Sequence, residues 1–254
     1  MIMEKVLAAA KPQLAGKAVK DLVVGISLVG CELDSGEVGV SYVLREDLPA
    51  GCSAFPYTQE AIGSPAEEIA GWIVAGKSTL QRSIASAVLA AAACGQELPA
   101  DDDADKLFGM DLKQEDTVGM IGLIRPVAKA ISPKVKKIIA FDKGMSLHSK
   151  DPLLQPMEKQ PELLPACDVV LLSGTTTING TIDSLLAHCS GAREIVMVGP
   201  STPMYPAGWQ GSGLTVLAGS CWQRDRKKEI FRLISQAAGI RQLTGFMQKK
   251  AVRV

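Results

Sequence analysis

The sequence predicts an α/β protein in two parts: a smaller α+β domain over residues 1–100, then a Rossmann-like domain with a parallel sheet over 118–254. Three observations carry that reading. The first half opens on apolar, β-branched runs and passes into two helical patterns with clear start signals. Residues 98–117 hold seven acids (Asp101, Asp102, Asp103, Asp105, Asp111, Glu115, Asp116) against two lysines and lose apolar periodicity, as an exposed linker does. From Val118 onward, short apolar runs alternate with helical or loop segments, the pattern of strands buried on both faces. A chain of 254 residues suits two modest cores, and 47% apolar with 21% charged residues is a globular composition.

In the first half, Leu22–Val29 and Val38–Leu44 read as the two strands of a hairpin, with Asp34-Ser35-Gly36 as its turn. Ser64-Pro65-Ala66-Glu67 is a capping box, so a helix starts there with Ser64 as its N-cap. It carries Ile69, Trp72 and Ile73 on one face and stops at Gly76. Ser78-Thr79-Leu80-Gln81 repeats the signal and opens a second helix that ends near Gly95. The small side chains of Ala85, Ala87, Ala90, Ala91 and Ala93 let another element approach it closely, and no chemistry is assigned to it. In the second half the strands are Val118–Ile124, Lys137–Phe141, Asp168–Leu172, Glu194–Val198 and Leu214–Ala218, with a closing helix over 225–238. Arg241–Val254 carries four cations and no acid and reads as a solvated tail.

Ligands of such sheets sit beyond the carboxyl ends of the strands, so candidate site residues are sought there. The three-glycine dinucleotide fingerprint is absent: only Gly119 and Gly122 accompany the first strand, which argues against ordinary NAD binding. Asp142 follows the second strand, 20 residues after Gly122, where a ribose-binding acid or a plain turn aspartate would stand. The third strand delivers Ser173, Gly174, Thr175, Thr176, Thr177, Ile178, Asn179, Gly180 and Thr181 ahead of a helix. Only Ile178 is apolar, and capping needs one such residue rather than six. Asp183, in that helix's first turn, competes with an anion for the helix end, so a neutral polar group is as good a ligand as phosphate. The fourth strand delivers Gly199, Pro200, Ser201 and Thr202, stiffened by Pro203 and Pro206. The two loops are expected to face each other across one crevice, with Thr175, Thr176, Asn179 and Ser201 pointing in and Cys52–Glu60 forming the other wall. The fifth strand's Gly219-Ser220-Cys221-Trp222 is placed at the same edge.

Lysine plus arginine equals aspartate plus glutamate at 27 each, so net charge gives no footprint for nucleic acid or anionic membrane. No segment approaches the roughly 18 uninterrupted apolar residues of a membrane span, and the first residues do not form an export signal, so a cytoplasmic protein is expected. Cys31, Cys52, Cys94, Cys167, Cys189 and Cys221 lie far apart and are expected to be reduced. With His148 and His188 the only histidines and no closely spaced ligand pair, no metal site is predicted from the polypeptide.

The segments SGTTTINGTIDSLL, GPSTPMYP and GLTVLAGSCW resemble the family called "putative heavy-metal chelation", in which a Thr-rich turn ends Asn-Gly-Thr and a later loop reads Gly-Pro-(Ser/Thr) with a following proline. Asn179-Gly180-Thr181 and Gly199-Pro200-Ser201 with Pro206 fit that pattern. VGVSYVL and the Ala-rich helix resemble the family's companion domain, which is similar to the enolase amino-terminal fold. The resemblance implies links to metal chelation, chelator synthesis or cobalamin metabolism. Three functions stay open. One is an enzyme or binder of a chelator-like or heterocyclic metabolite, held in a crevice between the domains. Another is a non-catalytic binder of heavy metal or a metal complex. The third is a group transferase using a nucleotide-type cofactor such as S-adenosylmethionine. No nucleophile–base pair is visible, so the reaction class stays open, as does homo-oligomerisation.

Overall fold

The computed structural model describes residues 1–48, 58–100, 107–146 and 149–254. The chain begins with helix α1 (Ile2–Leu14), whose Ile2, Met3, Val6, Ala10 and Leu14 form one buried face. Strands β1 (Val19–Val24), β2 (Leu28–Leu33) and β3 (Val38–Tyr42) follow as an antiparallel meander. The predicted Leu22–Val29 strand is therefore two strands. Gly25-Ile26-Ser27 is a turn hidden among apolar neighbours, and Gly25 N–H donates to Leu28 O at 2.9 Å. The short α2 (Thr58–Ala61) leads to α3 (Ala66–Ala75) and α4 (Thr79–Ala93). Ser64 does not cap α3; its hydroxyl donates to Glu60 O and Pro65 takes the cap position. Ser78 does cap α4, accepting from Gln81 N–H at 3.2 Å.

The meander is covered on both sides, which is why all six residues of β2 are buried. On one face lies α4. A Cβ at Gly39 of β3 would sit 2.1 Å from Ala87 O and 2.3 Å from Ala91 N, so glycine and alanine together set this close approach.

The second half contains β4 (Thr117–Ile121), α5 (Arg125–Ile131), β5 (Lys137–Phe141), α6 (Lys143–Ser146), α7 (Gln160–Leu163) and β6 (Val169–Ser173). It continues with α8 (Ile182–His188), β7 (Glu194–Val198), α9 (Pro206–Trp209), β8 (Val216–Trp222), α10 (Lys227–Ser235), α11 (Ile240–Leu243) and β9 (Met247–Arg253). The six-stranded sheet has the order β5-β4-β6-β7-β8-β9, parallel from β5 to β8 and closed by antiparallel β9. Strand succession reverses between β4 and β6: β5 lies on one side of β4, and β6, β7 and β8 follow on the other. That junction is the switch point of a doubly wound, Rossmann-like sheet.

Three sequence expectations change here. The supposed tail is α11 and β9, with Lys250 Nζ donating to Leu98 O at 2.9 Å and Arg253 pairing with Glu194 at 3.1 Å. Lysines suit an outer strand, and their abundance hides the alternation that would have marked it. Strand β8 runs on to Trp222, so Gly219 and Cys221 belong to the sheet rather than to a loop. The linker acid Asp116 is 1% exposed and held by Arg193.

The two halves share apolar clusters, while a further cluster around Val118, Met120 and Val169 lies within the second half. One apolar cluster runs from Ile2 and Ile84 in the first half to Leu172 and Leu217 in the second. Helix α1 packs on α9, where a Cβ at Gly208 would meet Val6 Cα at 2.5 Å. Helix α10 crosses to the meander's other face, with Ile230, Phe231 and Ile234 against Leu28, Val38 and Val40.

Candidate functional site

The switch point places the ends of β4 and β6 side by side. Gly122, the first residue after β4, turns at φ +85°, and a Cβ there would meet Ser173 Cβ at 3.0 Å. Glycine is thus fixed twice over, by its left-handed backbone and by its neighbour. Ser173 ends β6, and its hydroxyl shares a 2.8 Å hydrogen bond with Thr175 Oγ1 while accepting from Thr175 N–H at 3.3 Å. Both residues are only partly buried. Each hydroxyl retains capacity for a further partner.

The remainder of the polar turn is largely turned inward. Thr176 Oγ1 donates to Ser173 O and Thr177 Oγ1 to Gly174 O, each at 2.8 Å, and both side chains are 1% exposed. Asn179 is exposed and accepts from Thr181 N–H at 3.1 Å and from Thr181 Oγ1 at 2.7 Å. Gly180 is exposed beside it. Asp183 accepts from Ile2 N–H at 3.0 Å and so satisfies an amide of the first turn of α1.

The second loop touches the first directly. A Cβ at Gly174 would lie 2.6 Å from both Ser201 C and Thr202 N, so no gap separates the loops at that point. Ser201 is buried and joins the halves: its Oγ accepts from Tyr42 N–H at 2.9 Å and its carbonyl from Ser86 Oγ at 3.4 Å. Thr202 is buried with its hydroxyl lacking a partner among the described residues. Pro200 is buried, and Gly199 is half-buried with open space at its Cβ position. Of the four side chains expected to point into a crevice, Thr176 and Ser201 are therefore committed inside the protein. Thr175 and Asn179 remain at the surface.

Asp142 behaves as a turn aspartate. Its two oxygens accept from Leu123 N–H at 2.9 Å and Met145 N–H at 2.8 Å, which ties the end of β5 to the chain beyond Gly122 and starts α6.

Sequence reasoning missed the first-half residues that reach this edge. Arg82, on the helix given no chemistry, sends Nη1 to 3.5 Å from Ile178 O, and a Cβ at Gly180 would be 3.7 Å from the same nitrogen. Arg82 is the one charged residue in the run TLQRSIASAVLAAAA, and that was the available signal. Asp47 pairs with Lys143 at 2.7 Å, and the carboxylate of Glu46 lies 3.6 Å from a Cβ position at Gly144. The Asp47 carboxylate raises the Lys143 ammonium above its ordinary value. The site's rim thus carries the Arg82 guanidinium, which has no carboxylate partner among the described residues, two half-exposed hydroxyls and the backbone at Gly122. The wall expected from Cys52 onward lies outside the described residues up to 57, as does His148. Among the described residues no group of three or more His, Cys, Asp or Glu is arranged to hold a metal ion, and no helix is long and apolar enough to cross a membrane.

Residues 105–253 match the DUF364 family and residues 7–93 match DUF4213, both described as "Putative heavy-metal chelation". The chain belongs to the DUF364 family. A DUF364 protein of unknown function from Desulfitobacterium hafniense shares its fold, with a TM-score of 0.79, 21% identity and 99% of each chain covered. Another, from Pyrococcus horikoshii, gives a TM-score of 0.77 at 20% identity over 100% of each chain. The uncharacterized protein MJ0500 of Methanocaldococcus jannaschii is 31% identical over 102 residues, which are 40% of this chain and 39% of that relative. Membership of DUF364 ties the chain to metal-related binding of a small ligand, without fixing a reaction.

Proposed function

We propose that this DUF364 protein binds a small carboxylate-bearing chelator, free or with its metal, at the switch point between β4 and β6. One observation supports this above the others. Where strand order reverses, Gly122, Ser173 and Thr175 meet, and the polar turn that follows them is reached by the first-half residue Arg82 at Ile178 and Gly180. A guanidinium suits a carboxylate, and hydroxyls with spare capacity suit either donor or acceptor groups of a polar metabolite. In this reading the metal is ligated by the small molecule, and the protein recognises the molecule's outer oxygens. That fits a site rich in hydroxyl and backbone groups rather than in thiols and imidazoles. The amino-terminal half is then part of the site, because it supplies Arg82, whereas Lys143 and Arg125 at the same edge are paired with Asp47 and Asp151.

The test is calorimetric titration of the protein with citrate and nitrilotriacetate, each alone and preloaded with nickel or cobalt. Arg82→Ala and Ser173→Ala are measured alongside, with bare metal salts in parallel. Binding of a chelator or its complex that weakens at least tenfold in both variants supports the reading. Tight binding of bare metal that neither substitution changes contradicts it, and points to the polypeptide as the chelator.

A further inference from the structure

At the other end of α4 from Arg82, cysteines from different halves of the chain come close. Cys94 follows the last residue of α4, and its Sγ lies 3.2 Å from Ala90 O and 3.8 Å from Ser220 O, the residue before Cys221. Cys94 Sγ thus lies against the stretch of β8 that carries Cys221, and both residues are partly exposed. Two cations stand nearby, along with the Glu37 carboxylate. Lys250 sits opposite Gly219 on β9, on the strand beside Cys221, and Arg224 follows two residues after Trp222 while reaching Glu37 at 3.5 Å.

We propose that Cys94 and Cys221 are a redox-modification site, closing to a disulfide by exchange with a small-molecule disulfide. The contrast with the other described thiols supports this. Cys31, Cys167 and Cys189 are buried, and desolvation pushes Cys167 up to about 11 and Cys189 up to about 12. Cys221 goes the other way: the Cys94 thiol, then Lys250 and Arg224, hold its thiol below the ordinary value, while Cys94 is raised. The member with the lowered value is the better attacking thiol of the two. Cations beside the pair favour a thiolate and repel an added metal ion. No third carboxylate, thiol or imidazole joins the pair among the described residues.

The step balances without another reagent. The Cys221 thiolate attacks one sulfur of the small disulfide, forming a mixed disulfide and releasing one small thiolate. Cys94 gives up its proton and attacks the Cys221 sulfur, expelling the second small thiolate. Two protein thiols and one small disulfide become one protein disulfide and two small thiols. The product links the end of α4 to β8, joining the two halves.

The full-length reduced protein is incubated with excess oxidised glutathione at neutral pH, alkylated, and its thiols counted and mapped by peptide mass. The wild type should fall from six free thiols to four, with a reducible Cys94–Cys221 cross-linked peptide. Cys94→Ser should stop at a glutathione adduct on Cys221, and Cys221→Ser should keep its remaining five thiols. Retention of all six by the wild type, a cross-link mapped to other cysteines, or equal thiol loss in Cys221→Ser would each overturn the assignment. If a serine variant does not fold, the wild-type map decides alone.

Discussion

Replacing Asp116 by asparagine isolates one buried ion pair at the amino edge of the sheet. Asp116 is 1% exposed, and Arg193 grips both its oxygens, Nη1 to Oδ1 at 2.7 Å and Nη2 to Oδ2 at 2.6 Å. Lys113 N–H adds a third bond at 2.7 Å. The asparagine keeps one acceptor but must turn an NH₂ donor towards a guanidinium or an amide, leaving a donor facing a donor. Breaking a buried pair on one side costs about 3–5 kcal/mol, and Arg193, whose side chain is 33% exposed, recovers part of that from water. We therefore expect a loss of about 3 kcal/mol, or about 1 M in the urea midpoint for an m-value near 3 kcal/mol/M. The dependence on pH has a definite sign. Arg193 holds the Asp116 carboxyl below its ordinary value in the folded protein. Its contribution is therefore complete above the unfolded carboxyl's pKa, about 3.9, and is lost as pH falls through the folded one. Urea melts of both proteins at pH 7 and at stepwise lower pH should show a full gap that narrows below about pH 4. A gap under about 0.5 kcal/mol at pH 7, or one that does not narrow in acid, would refute the reasoning.

Two further substitutions probe packing and the polar turn. Gly39→Ala should cost about 1–3 kcal/mol or more in chemical denaturation, because its methyl meets the backbone of α4 rather than a side chain that can move; a neutral result would mean that α4 stands farther from β3. Asn179→Ala should cost about 1 kcal/mol, since Asn179 Oδ1 holds both the amide and the hydroxyl of Thr181, while chelator affinity stays within twofold or so. A large loss of affinity would return Asn179 to the binding surface.

Much of the fold was legible because local chemistry and burial agree. β5 and β7 match their apolar runs residue for residue, and Ser78 and Gly76 mark helix boundaries where expected. The failures share a cause, which is tertiary contact overriding local pattern. The turn at Gly25-Ile26-Ser27 is disguised by apolar flanks, and Gly25 is held close under α10 by the main chain of Ile234. Helix α1 carries Pro12 and a short apolar patch that reads weakly alone, yet α9 and α3 bury it. For the site, the position of the polar turn was readable, but not which hydroxyls are free. Ser173 and Thr175 stay half-exposed while Thr176 turns back onto its own strand. That follows from a single turn of 3-10 helix at 174–176, which spacing in sequence does not reveal. Arg82 stood out as a lone charge in α4, but its place was not readable, because only the packing of α4 against the second half brings it to the turn after β6.

The central claim is a place, and a crystal structure of the protein grown with a nickel-loaded carboxylate chelator tests it most directly. The account predicts the complex between the ends of β4 and β6, with a carboxylate on Arg82 and oxygens near Ser173 and Thr175. A complex seated elsewhere, or a metal stripped from the chelator and held by protein side chains alone, would contradict it.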